Sequence, residues 1–246
     1  MHAIHYDEIH DEIVVPQPFG QAILTFRGGA NGEEAPIRVI QGSRTQLINP
    51  DKLAIDPVNN EYFVAEAGSV LVFPREANGN VAPLRVLNGP DGDGMDASEL
   101  AVDPVHNLLV VVGQYRGNGQ TGREGRVRAV MTFDRTAKGN AKPRTVIAGP
   151  KAGLQSVTRI QVYPPRGLIF VPIRSGELGE LESADSHLAI WSIDDDGDVP
   201  PRWTIGGPKG MLKMPRGVAL DPKNKNVLIS DKRLNAVLTY HFPEVF

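Results

Sequence analysis

One glycine and proline spacing recurs four times in this 246-residue chain, with an aromatic-ended apolar run at a constant distance before each copy. A second apolar run, closed by Asp in all units but one, follows each copy at another constant distance. Together these observations predict an all-β fold, a β-propeller of four-stranded antiparallel blades.

The spacing comes first. Gly32, Pro36 and Gly42 repeat as Gly79, Pro83 and Gly89, as Gly139, Pro143 and Gly149, and as Gly197, Pro201 and Gly207. Six residues before the first glycine stand Phe26, Phe73, Phe133 and Trp191, each ending a run such as QAILTF or GSVLVF. Fourteen residues after the last glycine come Asp56, Asp103, Tyr163 and Asp221. AIHYD, ending at Asp7, opens the chain in the same register, and AVLTY, ending at Tyr240, supplies the last aromatic. The register therefore defines five units, in one domain over residues 1–246 with blades near 1–49, 50–97, 98–157, 158–214 and 215–246.

Each unit holds four apolar runs of four to six residues, here named a to d. They are rich in Val, Ile and Leu and bounded by Gly, Pro, Asn and Asp, as strands are. Run a ends in the Asp, run b follows (EIVV, EYFVA, LLVVV, LIFVP, VLIS), c ends in the aromatic, and d surrounds Pro-x-Arg-x-Ile. The a–b turns read DPVNN, DPVHN and DPKNK, where the Asp carboxylate is placed to accept nearby backbone amides. The first glycine of each copy falls in the c–d turn, at a position that calls for positive φ. The recurrent aromatic is expected in the core between blades, and Arg38 and Arg85 of run d on an exposed outer strand. The last unit stops after run c, so the fifth blade lacks its outer strand. A native six-bladed ring, or an upstream strand completing the last blade, is the corresponding expectation.

Pro50 to Asp56 and Pro215 to Asp221, each followed by a strand and then an aromatic-ended strand, resemble the NHL and YWTD propellers over the whole chain. The Asp-Pro-Val-x-Asn and Gly-Asn-x-x-Pro-x-Arg elements are also similar to those of mostly exported bacterial propeller proteins. The resemblance implies a toroid with strand a lining a central channel. The chain departs from the family in lacking the usual Ala-Asp after strand b in most units, and in showing five blades where six are usual.

Composition narrows the function. Glycine (26) and proline (20) make up 46 of the 246 residues, a turn content that excludes a helical bundle. A net charge of −3 and a pI near 6.1 argue against a nucleic-acid partner. The absence of cysteine excludes disulfides, thiolate metal sites and a cysteine nucleophile. No run approaches the roughly 18 apolar residues of a spanning helix, so membrane insertion is not expected. Residues 1–12 carry no leader features; an extracellular or periplasmic location is expected if a signal peptide precedes this chain, and a cytoplasmic one is left open.

Length is added only between strands a and c. From the residue closing strand a to the aromatic the distance is 19, 17, 30, 28 and 19 residues. The excess forms b–c loops in blades 3 and 4, residues 113–126 and 174–187. In a propeller these emerge on the same face as the d–a connections, and enlarged loops on a rigid scaffold carry binding. The first holds Tyr115, Arg116, Arg123 and Arg126; the second holds Glu177, Glu180, Glu182 and Asp185 above Arg174. Either the two flaps neutralise each other, or they form a rim for a protein or carbohydrate partner anchored by Tyr115.

Candidate chemistry is sparse. Asp194, Asp196 and Asp198 alternate as calcium ligands do, but they align with the ordinary c–d turn. Asp91, Asp93 and Asp96, with Glu99, form the other metal-like spacing, although Met95 stands where a ligand is needed. Strand a begins at His2, Lys52, Glu99, Arg159 and Arg216, which should face the channel mouth. Lactonases and lyases on similar six-bladed rings hold a divalent metal there; this set has mixed signs and one carboxylate. No cofactor is expected. The sequence thus favours a non-enzymatic binding scaffold, with a metal-dependent lactonase or lyase at the channel mouth as the alternative.

Overall fold

The computed structural model describes residues 4–66, 68–89, 95–116, 125–174 and 186–246. Blade 1 consists of β1 (His5–Asp7), β2 (Glu12–Gln17), β3 (Ala22–Arg27) and β4 (Arg38–Gln41). Blade 2 consists of β5 (Lys52–Asp56), β6 (Glu61–Glu66), β7 (Ser69–Pro74) and β8 (Arg85–Leu87). Blade 3 is β9 (Asp96–Asp103), β10 (Leu108–Arg116), β11 (Arg126–Asp134) and β12 (Thr145–Ile147). Blade 4 is β13 (Ser156–Val157), β14 (Gln161–Tyr163), β15 (Leu168–Arg174), β16 (His187–Ser192) and β17 (Trp203–Gly206). Blade 5 is β18 (Pro215–Asp221), β19 (Asn226–Asp231) and β20 (Ala236–His241).

Strands follow one another in space in every sheet, the antiparallel order that short turns impose. The fold is an all-β propeller of five blades, the fifth with three strands. Two details depart from the repeat. β9 starts two residues before the expected boundary, because a bulge at Val112/Gly113 lets it pair further along β10. In blade 4 strand a is two short strands, both pairing β15, and Arg159 between them has φ +37°.

The chain divides into two compact units, residues 1–115 with 133–144, and residues 116–132 with 145–246. In the first, Val14, Ile23 and Ile40 of blade 1 meet Tyr62, Val64, Leu71 and Phe73 of blade 2 in one apolar cluster. In the second, Phe170, Leu188 and Ile190 of blade 4 meet Val218, Val227 and Ile229 of blade 5. Strand b of blades 2 and 4 is covered on both faces, with every residue of β6 and all but the last of β15 buried, which explains why it reads as a continuous apolar run.

The recurrent aromatic is fully buried only in the middle blades. Phe73, Phe133 and Trp191 are fully buried, whereas Phe26 and Tyr240 are half-buried. Tyr6, Ile13 and Phe26 lie directly opposite one another across β1, β2 and β3, so they share a face. The face of blade 1 that meets blade 2 carries Val14 and Ile23 instead. Tyr240 joins the cluster between blades 4 and 5, and its hydroxyl donates to the Gly210 carbonyl. After β20 the chain turns into the 3-10 segment Pro243–Val245, where Val245 is buried and Phe246 packs edge-on against Tyr163 with ring centroids 5.2 Å apart.

The a–b turns work as their sequence implies. Asp56 accepts the amides of Val58 (3.1 Å) and Asn59 (2.9 Å) and the Asn59 side chain (2.8 Å). Asp103 does the same with Val105, His106 and the His106 ring Nδ1 (2.8 Å), and Asp7 with Ile9, His10 and the His10 ring. These two histidines hold the turn as Asn59 does in blade 2.

The repeat glycine joins blades. Gly79 donates to Val39 O (2.6 Å) and accepts from Gln41 N (3.2 Å), a parallel bridge to the strand d of the preceding blade. Gly139 bridges Val86 and Asn88, and Gly197 bridges Val146 and Ala148, in the same way. All three have φ between +58° and +81° with open space where a Cβ would stand. The need for glycine there is conformational rather than steric. The residues flanking it complete the joint: Asn78 accepts Val39 N (2.9 Å) and Asn80 accepts Arg44 N (2.7 Å), while Asp196 accepts Val146 N (2.7 Å) and Asp198 accepts Lys151 N (2.7 Å).

Candidate functional site

Candidate residues sit at the ends of strands a and b, where the d–a connections and the b–c hairpins of blades 3 and 4 arise. In each unit one carboxylate at the end of strand b anchors its own d–a connection. Glu66 accepts the amides of Ile48 (3.1 Å) and Asn49 (3.0 Å). Asp231 accepts those of Lys213 and Met214 (2.8 Å each) with one oxygen and those of Arg233 and Leu234 with the other. Each ties the d–a connection to its own sheet. The sequence reading gave these two acids no role. Their signal was an acid at the last position of strand b, after Ala65 and after Ser230.

Among the described residues blade 3 has the longest central strands. β10 and β11 have nine residues each, against six in β6, β7, β19 and β20. The extension begins at Gly113, where a Cβ would lie 2.8 Å from Asp96 O, so only glycine lets β9 follow β10 past the bulge. Tyr115, Arg126 and Arg128 are half-buried on these extensions and Val127 is exposed. Of the other predicted rim residues, the side chain of Arg116 and all of Arg123, Glu177, Glu180, Glu182 and Asp185 lie outside the described residues. Arg174, at the base of the blade 4 loop, is half-buried and donates to Ser156 Oγ (3.3 Å).

The strand-a residues show mixed electrostatics. In the first unit Lys52 Nζ lies 3.4 Å from the buried Glu99 carboxylate and 3.3 Å from Asp51. In the second unit the corresponding residues are Arg159, half-buried, and Arg216, exposed. His2 lies outside the described residues. The one carboxylate among the described residues of this set faces an ammonium, and its other members are cations. Such a set does not fit a divalent metal, which needs several anionic or neutral donors. Among the described residues no cluster of three His, Asp or Glu is arranged to hold a metal.

Two of the aspartates with calcium-like spacing, Asp196 and Asp198, have structural partners, and so does their neighbour Asp195. Asp196 and Asp198 take blade 3 amides, and Asp195 holds Arg202 (2.7 Å) and Ser192 N (2.8 Å). Asp96 is exposed on β9, and Asp91 and Asp93 lie outside the described residues.

The strand-d arginines are far less exposed than an outer strand suggests. Arg38 donates to Glu12 (2.6 Å), which also receives Arg75 (2.9 Å) from blade 2. Arg85 grips Glu61 through two bonds (2.6 and 2.8 Å) and stacks over Phe63, while Arg135 from blade 3 reaches the same carboxylate. Burial pushes both carboxyls up, but the arginine hydrogen bonds and charges outweigh it and hold Glu12 and Glu61 below the usual range.

No protein-family model matches the chain, and no curated protein matches its sequence. The structure matches 473 solved chains. Among them is the β-propeller domain of Cps50 (Swd1) from Myceliophteria thermophila, with a TM-score of 0.58 and 9% identity. That alignment covers 94% of this chain and 62% of the other, so this chain spans less than two thirds of that protein's length. At this identity the likeness is one of fold alone, and by fold the chain is a β-propeller.

Proposed function

We propose that this protein is a non-enzymatic binding scaffold of NHL-like type that presents its b–c and d–a loops to a protein partner. The observation that carries the reading is blade 3. Its two central strands outgrow those of its neighbours, and a glycine-dependent bulge at Gly113 lets the extension stay paired. In the second unit the d–a connection anchored at Asp231 supplies a preorganised base, which lowers the ordering cost of binding. Tyr115 and the arginines at 116, 123, 126 and 128 suit an acidic or mixed protein surface, since Tyr and Arg are the residues that dominate interface energetics. Export to the periplasm or cell exterior is part of the proposal and rests on the resemblance to exported bacterial propellers.

The test is a variant with residues 117–124 and 175–185 replaced by short glycine linkers. Crosslinked complexes recovered from the native source by wild-type and variant protein are then compared. Loss of the captured partners with an unchanged melting temperature supports the proposal; the same partners captured by both proteins refutes it.

A further inference from the structure

In the second unit, blades 4 and 5 meet near the start of strand a through residues 156–160, 172–174, 186–188, 213–217 and 230–233. Thr158 Oγ1 donates to Pro215 O (3.0 Å) and Ser186 Oγ to Lys213 O (3.0 Å), and a Cβ at Gly217 would stand 3.9 Å from that of Arg159. The charges of these segments are lopsided. They carry Arg159, Arg174, Lys213, Arg216, Lys232 and Arg233 against the single acid Asp231, both of whose oxygens are taken by backbone amides.

Three of the arginines gather at the joint itself. Arg159 stands between β13 and β14 with φ +37°, and Arg216 is the extra residue of a bulge, since Pro215 pairs with Asp231 and Gly217 with Ser230. Bulges re-aim side chains, and a non-glycine residue holds a left-handed conformation only where its surroundings enforce it. Arg174 lies opposite Ser156 and donates to its hydroxyl, while its Nε is buried without an acceptor among the described residues. A buried donor left unpaired costs free energy that an acceptor would recover. The repeat supplies its own control. Lys52 holds in blade 2 the place of Arg159, four residues before the end of strand a, and lies 3.4 Å from the Glu99 carboxylate. Among the described residues no carboxylate pairs with the side chain of Arg159, Arg174 or Arg216.

We propose that the joint between blades 4 and 5 binds a small oxyanion of two or more negative charges, a phosphate ester or a polycarboxylate, through Arg159, Arg174 and Arg216. The guanidinium fork bonds such groups through two parallel hydrogen bonds, a geometry that lysine does not offer. Arg174 supplies the buried donor, and the half-buried Arg159 and exposed Arg216 supply charge nearer the solvent. Gly217 keeps the wall beside Arg159 free of a side chain. The site stands whether or not the loop face binds a protein.

The test is calorimetric titration of the full chain at low ionic strength with inorganic phosphate and, separately, with citrate. Arg159→Gln and Arg216→Gln each remove one ligand, and Lys223→Gln removes an exposed cation from the a–b turn at the other end of the same strand of blade 5. Saturable binding that falls at least about tenfold in both arginine variants and is unchanged in Lys223→Gln supports the proposal. The probe that binds more tightly then names the group recognised. Absence of saturable binding, equal binding by either arginine variant with a wild-type melting temperature, or an equal fall in Lys223→Gln overturns it. Binding that appears only when residues 175–185 are replaced by a glycine linker also overturns it, because the chain's own acids Glu177, Glu180, Glu182 and Asp185 then occupy the arginines.

Discussion

Arg135 reaches from the end of β11 to the carboxylate of Glu61 in the preceding blade, the same carboxylate that Arg85 grips from strand d. Glu12, Arg38 and Arg75 repeat this arrangement one blade earlier. One acid thus joins two strands of its own blade and a turn of the next. Because both arginine side chains at Glu61 are only 12% exposed, removing the acid strands two guanidinium groups. Glu61→Gln is expected to cost about 2–3 kcal/mol in chemical denaturation, more than an exposed pair would.

Acid sensitivity follows from the same pair of carboxylates. Their folded-state values are lowered, so their stabilising contribution is complete above the ordinary carboxylate range and is lost as pH falls through the folded value. The melting temperature should hold from neutral pH to about 5 and drop below it. In Glu61→Gln the drop should be shallower, as thermal unfolding across that range would show.

Repeat glycines separate conformational from steric demand. Gly79→Ala places a side chain at φ +79° in open space and should cost about 1 kcal/mol. At Gly42, φ is +126° and a Cβ would lie 2.6 Å from Asn80, so Gly42→Ala should cost distinctly more. Urea unfolding of the two variants gives the comparison.

Asp198 occupies in blade 4 the position that Asn80 occupies in blade 2, each accepting amides of the preceding strand-d connection. Asp198→Asn should therefore be close to neutral, and Asp198→Ala should cost about 1–2 kcal/mol for the unpaired amides. Calcium should not raise the melting temperature through this turn. A calcium-dependent rise lost in Asp196→Ala would contradict the assignment.

Most of the fold was legible because blade-to-blade contacts use local, repeated chemistry. The Asp of the a–b turn, the positive-φ glycine and the aromatic each answer a need that recurs at fixed spacing. What was not legible depends on position within the array. Phe26 and Tyr240 carry the same signature as Phe73 but lie in the terminal blades, where the neighbouring environment differs. Arg38 and Arg85 looked solvent-facing because strand d is outermost, and only the arrival of Arg75 and Arg135 from the next blade encloses them. Glu66 and Asp231 escaped notice because their partners are backbone amides, which leave no trace in side-chain pattern. The loop residues were recognisable as an excess of length, which marks where the chain departs from the repeat but not what the added residues do.

The central claim is that the repeat supplies a scaffold and the blade 3 and 4 loops supply the binding surface. Its most direct test is paired measurement, on wild type and on the variant lacking 117–124 and 175–185, of melting temperature and of affinity for the crosslinked partner once purified. An unchanged melting temperature with affinity reduced at least about a hundredfold is the predicted result. Unchanged affinity with the loops removed would contradict it.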